Sequence, residues 1–495
     1  MAHVYKHCIV GHGLTGTAAC KYLAKQGEDV VLVGPSEASG KAHGACYDEG
    51  RIYRILDPKE SWARLAERSV EHYEGIAEET GIDFYRESGL LIFGVEDDFI
   101  RQTQAVAKKM GTTLTQMSPS EIKDRYPWLG VPACSKVGLL QAHQAGHLSP
   151  RKLTHAQLSL ATRHGATYLD RVVEKVTRSS ADAEHFVVSL ADGGEVQAEN
   201  VLVAAGCYTS LLPFLPEQVV VSLTGAQAAL VEISAESAAL LSDMPSLIYE
   251  GETEEDCWYL LPPIMYPDGK WIVKIGPSTA FAPPLKTAAD VDAWFRRGSL
   301  EPALEKKALA AFAELFPSVE VVSWKPLICV TDNTPKQNAY IDMLAPGWGI
   351  CTGGNGWAAK SSDEIGLLAA QMMYLPDHWG PDPSLPREWF RATTQQSLLP
   401  TPQLETAIAR VDACGEVLLV RAVQALELLT QLLVARPVLQ ARPPRLVGAL
   451  REELALLWDG APTVLCTARG AAMAPGHPFI SLSTDRFDVV VILAA

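Results

Sequence analysis

Cys8-Ile9-Val10-Gly11-His12-Gly13-Leu14-Thr15-Gly16 stands near the start of the chain and decides how the rest is read. The apolar run from Val4 to Val10 is strand-like, breaks at Gly11, and gives way to an Ala-rich helical pattern from Thr17 to Gln26. Gly27 stops that helix, and Asp29-Val30-Val31-Leu32-Val33 reads as a second strand. This strand–helix–strand order opens a dinucleotide-binding fold. Gly11 permits a tight turn, Gly13 lets the backbone approach a pyrophosphate, and Gly16 allows close helix–strand packing. The phosphates, beside Leu14 and Thr15, would rest on the helix N-terminus, whose free N–H groups and dipole favour negative charge. A carboxylate for the ribose hydroxyls is expected at the end of the second strand, but Gly34 stands there. Glu37 is the substitute, with a solvated loop acid as the alternative reading.

At 495 residues the chain has room for two or three domain-sized units, and 48% apolar against 20% charged residues describes a globular protein with ample core. A net charge of −16 argues against nucleic acid or an anionic membrane surface as partner. The longest Leu-rich run, 415–435, carries Glu416, Arg421 and Glu427 and so is not a spanning helix. The ten cysteines lack CxxC pairs or metal-ligand spacing, so reduced thiols are expected and a metal is not. A strand this close to Met1 leaves no room for a leader, and the C-terminus carries no peroxisomal signal, so a cytoplasmic protein is expected.

Downstream, a small-residue loop holding His43 and Gly44 leads into Arg51-Ile52-Tyr53-Arg54. Helical patterns follow over 59–80, 97–110 and 118–126, the last with Ser118 and Glu121 spaced as a capping box. Leu90-Leu91-Ile92-Phe93 and Asn200-Val201-Leu202-Val203 read as buried strands, 172–178 and 185–189 as strand-like, and Asp192-Gly193-Gly194 as a turn. Strand-type segments at 227–231, 258–261 and 271–276 precede a helix at 301–315. Strands at 326–330 and 349–352 then lead through Gly353-Gly354-Asn355-Gly356 into a final helix.

These blocks together resemble the FAD-dependent amine oxidoreductases of the D-amino-acid-oxidase superfamily, most closely the monomeric sarcosine oxidase and pipecolate oxidase branch. The resemblance covers residues 4 to 390. It rests on the Gly11 motif, Arg51 with Arg54, Gly89 to Gly94, Val203 to Gly206, Val273 to Gly276, Cys329 with Asp342, and Gly353 to Lys360. It implies an α/β fold, a Rossmann-like FAD-binding domain (1–88, 146–217 and 325–395) interrupted by an α+β substrate domain with a large antiparallel sheet (89–145 and 218–324). Residues 396–495 match nothing in that pattern. There 417–434 and 446–458 suggest amphipathic helices and 487–493 a strand, so an appended helical extension is expected, with an oligomerisation arm or a poorly ordered extension as the alternatives.

The resemblance also assigns roles. Cys329 matches a cysteine bonded through sulfur to the flavin ring; a plain buried thiol is the alternative. Lys274, in an otherwise apolar run, would be costly if buried without a partner. By resemblance it faces the flavin and activates oxygen by stabilising the negative charge that forms first. Arg54 and Lys360 match the pair that grips a substrate carboxylate, Arg51 matches a residue near the flavin ring, and Tyr259 an active-site tyrosine. Glu37, His43, Val173, Gly206, Gly354, Asn355, Gly356 and Lys360 would join the glycine turn around the cofactor. Thr331 and Ser278 depart from an aromatic and a histidine that help shape the sarcosine site, and Asn355 and Trp357 alter the loop before Lys360. The expected activity is oxidation of the C–N bond of a secondary, N-methyl or cyclic amino acid to an imine, with oxygen reduced to hydrogen peroxide. A dehydrogenase using another electron acceptor and a non-catalytic flavin-bound scaffold are the alternatives. The partners expected are a small carboxylate-bearing amine and oxygen; a monomer is compatible with the pattern.

Overall fold

The computed structural model describes residues 3–398 except 42, 180–184, 279–282, 377–378 and 381, and the backbone of 464–467, 479–483 and 488–492. Residues 1–400 and 401–495 form two compact units.

In the first unit an eight-stranded sheet is assembled around β1 (Val4–Val10). β2 (Val30–Val33) lies parallel on one side of β1, and Glu195–Val203 lies parallel on the other, followed by parallel Trp348–Thr352. Thr167–Leu169 extends the sheet beyond β2, while Phe186–Leu190, Val173–Arg178 and Tyr340–Ala345 join antiparallel. The second half of β1 and all of β2 are buried, which is why they read as unbroken apolar runs rather than alternating ones.

Helix α1 (Leu14–Lys25) connects β1 to β2 and ends where Gly27 turns at φ 82°. Its inner residues Ala18, Ala19, Cys20 and Leu23 are fully buried. The helix Ser362–Tyr374 presses on them so closely that a Cβ on Gly366 would overlap Ala18. Lys21 is buried too, and is ion-paired with Asp363 of that helix. Asp363 also accepts from the Tyr22 hydroxyl at 2.6 Å and the Gln157 amide at 3.3 Å. The first and last helices of the nucleotide-type sheet are thus joined by packing and by a satisfied buried charge.

A ten-stranded sheet forms the second layer. Ser222–Ile233 pairs antiparallel with Trp271–Pro277, which pairs with Trp258–Leu260, then Ser246–Glu250, and on to Leu90–Gly94 and Val137–Gln141. One face is covered by the helix Pro302–Leu315, whose Leu304, Ala308, Phe312 and Leu315 pack with Phe93, Val231, Leu260, Val273 and Ile275. The strand carrying Cys329, Val321–Asn333, belongs to this sheet, pairing along its length with Ser222–Ile233. It had been expected in the segment returning to the nucleotide sheet, whose strands resume at Tyr340–Ala345.

A small sheet of Arg51–Tyr53, Gly146–Leu148 and Tyr85–Glu87 also lies in this unit. Helix Glu60–Thr80 stops at Gly81, which takes the left-handed φ of 70° and donates to Ala77. Ser118 and Glu121 form the expected capping box at Pro119–Arg125.

In the second unit the described residues are three antiparallel strands, Val464–Thr467, Asp488–Ile492 and Phe479–Ser483. The strand expected over 487–493 is among them; the helices expected at 417–434 and 446–458 lie outside the described residues. Among the described residues no helix is long and apolar enough to cross a membrane.

Candidate active site

The glycine turn shows why each glycine is there. At Gly11, φ 123° already disfavours a side chain, and an added Cβ would overlap the Ala204 carbonyl. A Cβ on Gly16 would overlap the Gly11 carbonyl. Gly13 differs: its backbone is extended, and a Cβ would meet nothing within 4 Å. The protein's own packing leaves Gly13 free, so the cradle there suits a group approaching from outside. Gly13 caps α1 without a side-chain hydrogen bond, and no acid lies in the first turn beside Leu14 and Thr15. The residues present therefore fit a dinucleotide pyrophosphate.

The missing ribose carboxylate also has a physical reason. A side chain at Gly34 would collide with the backbone nitrogen of His12. Glu37 makes a two-pronged ion pair with Arg151 at 2.6 and 2.7 Å. Asp170 accepts from the Ser36 N–H at 2.8 Å and its hydroxyl at 2.5 Å. His43 stacks on Phe295 at 4.8 Å, Val173 opens an outer strand of the eight-stranded sheet, and Gly206 turns at φ 56° and accepts from the Thr352 hydroxyl.

Strand register brings three predicted residues to one face of the ten-stranded sheet, opposite the helix Pro302–Leu315. Tyr259 pairs with Gly276, two residues from Lys274; Lys274 pairs with Leu230; and Ala226, four residues back, pairs with Cys329. The Tyr259 ring lies over Gly276, where a Cβ would meet it. Lys274 Nζ stands 5.8 Å from the Tyr259 ring centre. Cys329 is half-buried, and its carbonyl accepts from Trp294 at 2.9 Å.

Each predicted cation is held by a carboxylate that the motif reading did not single out. Asp48, buried, meets Lys274 Nζ at 2.7 Å, pairs with Arg51, and accepts from the Tyr266 hydroxyl at 2.9 Å. Lys274 also donates to the Gly50 carbonyl. Burial, with Arg51 adding to it, pushes the Lys274 ammonium well below the ordinary lysine range. Asp57, fully buried, stands 3.1 Å from Arg54 and 3.2 Å from Lys360. Burial lowers Lys360 to about 8, Asp57 opposing the shift and Arg54 adding to it. Lys360 lies 5.5 Å from the Trp62 ring. Glu250, on the same sheet face as Tyr259, is pushed up to about 7 by burial, with Arg54 opposing.

The glycine loop before Lys360 is organised by Asp332. Its carboxylate accepts from the N–H groups of Gly353 at 2.8 Å and Gly354 at 2.9 Å, and its carbonyl accepts from Asn355. Asn355, at φ 50°, accepts from Thr334 N–H, and Gly356 turns at φ 75°. The N–H groups of Gly354 and Asn355 are therefore already used. Two of the overlooked acids carry a faint signal: Asp48 precedes Arg51 by three residues and Asp57 follows Arg54 by three.

The sequence model of the FAD dependent oxidoreductase family matches residues 6–372. A monomeric sarcosine oxidase of Bacillus sp. (strain B-0618) is 24% identical over 386 residues, covering 74% of this chain and 90% of its own. Among solved structures, NikD, an unusual amino acid oxidase essential for nikkomycin biosynthesis, superposes with a TM-score of 0.64 at 19% identity, covering 80% of this chain and 98% of NikD. L-proline dehydrogenase from P. horikoshii superposes at 0.61 and 17%, covering 79% and 97%.

Proposed function

The chain belongs to the FAD dependent oxidoreductase family, and on that premise we propose that it oxidises the C–N bond of a small secondary, N-methyl or cyclic amino acid. The net reaction takes amine and oxygen to imine and hydrogen peroxide, and water then hydrolyses the imine. FAD, when bound, supplies the two-electron acceptor for this exchange. Gly11, Gly13 and Gly16 would hold its pyrophosphate, and Cys329 is the proposed point of covalent attachment. The observation that carries the reading is the shared sheet face of Tyr259, Lys274 and Cys329, together with the buried cations Arg54 and Lys360 and the partly buried Arg51.

The protein's share of the chemistry is position and charge. Arg54 and Lys360 bind the substrate carboxylate and fix which C–N bond is presented. Tyr259 walls the pocket over Gly276, and Lys274, steadied by Asp48, offers positive charge where oxygen acquires its first electron. The sarcosine oxidase relative favours oxygen as acceptor, whereas a dehydrogenase on the same fold keeps a second acceptor in view.

The test is an anaerobic screen of N-methyl and cyclic amino acids against the purified holoprotein, following loss of the flavin absorbance, then a peroxide assay in air. Bleaching with peroxide formation supports the oxidase. Bleaching with no peroxide, and turnover only with an artificial acceptor, replaces it with the dehydrogenase. No bleaching with any amine removes the proposal.

A further inference from the structure

Arg54 and Lys360 face one internal carboxylate, and that imbalance has a chemical meaning. Arg54 Nη1 donates to the Leu56 carbonyl and meets Asp57 Oδ2, while Lys360 meets the same oxygen from the other element. Both cations are buried, at 5% and 3% exposure. Asp57 Oδ1 accepts from the Lys59 backbone N–H at 3.1 Å, so the carboxylate is tethered on its far side. Among the described residues, Arg54 Nε and Nη2 make no hydrogen bond. Two buried cations pair with one buried carboxylate, and Glu250, on which Arg54 also acts, is pushed up to about 7 and so is largely uncharged below that pH; about one positive charge is then uncompensated, which favours an anionic ligand. The same arrangement means that such a ligand does not meet the full charge of the pair.

We propose that Asp57 is a specificity-determining residue, a resident carboxylate that shares Arg54 and Lys360 with the ligand and so limits how strongly the site prefers an anion. This rests on the reading of Arg54 and Lys360 as the carboxylate grip. A ligand carboxylate entering beside Asp57 gains two cations but is repelled by a like charge on the same two groups, in surroundings where charges are weakly screened. Removing the charge of Asp57 while keeping its shape therefore tightens anion binding. Removing either cation weakens it.

The experiment uses the holoprotein and two non-oxidisable probes, propionate and propionamide, titrated by calorimetry. The quantity read is the ratio of their affinities, which cancels effects on shape. Asp57→Asn is expected to raise the propionate-to-propionamide ratio about tenfold, the worth of one charge-assisted contact. Asp57→Glu, which keeps the charge, should leave the ratio within about twofold of native. An unchanged or lowered ratio in Asp57→Asn, or an equal rise in both variants, overturns the inference and leaves Asp57 as a support for the two cations. If Asp57→Asn does not fold, Asp57→Ser replaces it. If neither folds, the native ratio decides, because two unopposed cations would give roughly 100-fold or more: a native ratio below that sustains the proposal, and one at or above it overturns it. Arg54→Ala and Lys360→Met separate the two levels. If both leave propionate affinity untouched, the carboxylate grip itself falls. If they weaken it but Asp57→Asn does not tighten it, the grip stands and the role of Asp57 alone is lost.

Discussion

Replacing Asp48 with asparagine removes the carboxylate that Lys274 and Arg51 share. The side chain is 1% exposed, holds Lys274 Nζ at 2.7 Å, and also receives the Tyr266 hydroxyl. Breaking a buried pair from one side costs about 3–5 kcal/mol, because the remaining charge is left desolvated. The first unit spans 400 residues, and unfolding entropy near 2.1 cal/mol/K per residue gives roughly 0.8 kcal/mol/K, so the midpoint should fall by about 4–6 °C. The loss must also depend on pH. Burial and Arg51 already hold Lys274 below its unfolded value, and without Asp48 it falls further. A lysine whose folded pKa is depressed costs stability below the unfolded pKa, and the cost grows as pH falls until the folded pKa is passed. The deficit of Asp48→Asn relative to native should therefore be larger at pH 6.5 than at pH 9, where Lys274 sheds its proton more cheaply. Thermal unfolding followed by circular dichroism at both pH values, with the cofactor content matched, reads this out. A deficit equal at both pH values, or no deficit at all, would refute the idea that Asp48 compensates a buried ammonium.

Gly13→Val should leave the apoprotein folded but empty of FAD, since the added side chain meets only the space a pyrophosphate would use; undiminished flavin absorbance per chain counts against the assignment. Cys329→Ser should release its flavin on acid denaturation while the native protein keeps colour on the polypeptide, and a native protein that gives up all its flavin removes the covalent bond. Lys274→Met should slow flavin reoxidation by on the order of 100- to 1000-fold and reduction far less, as rapid mixing would resolve; equal effects on both half-reactions would contradict the oxygen role. Because Lys360 is lowered to about 8, its cation is present below that pH and lost above it. Propionate binding should accordingly weaken as pH rises through about 8, and a titration flat from pH 7 to 9 would exclude Lys360 from the anion site.

How much of this could be read beforehand depended on how local the cause was. The turn at Gly11 to Gly16 was legible because its glycines answer to backbone sterics within a few residues, and the Ser118–Glu121 box because a helix cap is closed over three. Lys274 could be flagged, since an ammonium in an apolar strand demands a partner, but not its partner: Asp48 lies 226 positions away. Glu37 was chosen for the ribose by its nearness in sequence to Gly34, while its ion pair with Arg151, 114 positions distant, could not be read from that neighbourhood. The strand of Cys329 was assigned to the wrong sheet for the same reason. An apolar run announces burial, and only the full-length pairing of Val321–Asn333 with Ser222–Ile233 says against what.

The clasp between the first and last helices of the nucleotide-type sheet also bears on how the protein is made. Lys21 and the Ala18–Ala19 face of α1 emerge early from the ribosome, yet Asp363 and Gly366, which cover them, follow more than 340 residues later. At elongation rates of about 5–20 residues per second, that interval is roughly 17–70 s. Throughout it the apolar residues of α1 and the Lys21 side chain lack the partners that cover them in the folded protein. Synthesis of the glycine turn is therefore far ahead of its completion as a folded site, and the interval is one in which chaperones have something to hold.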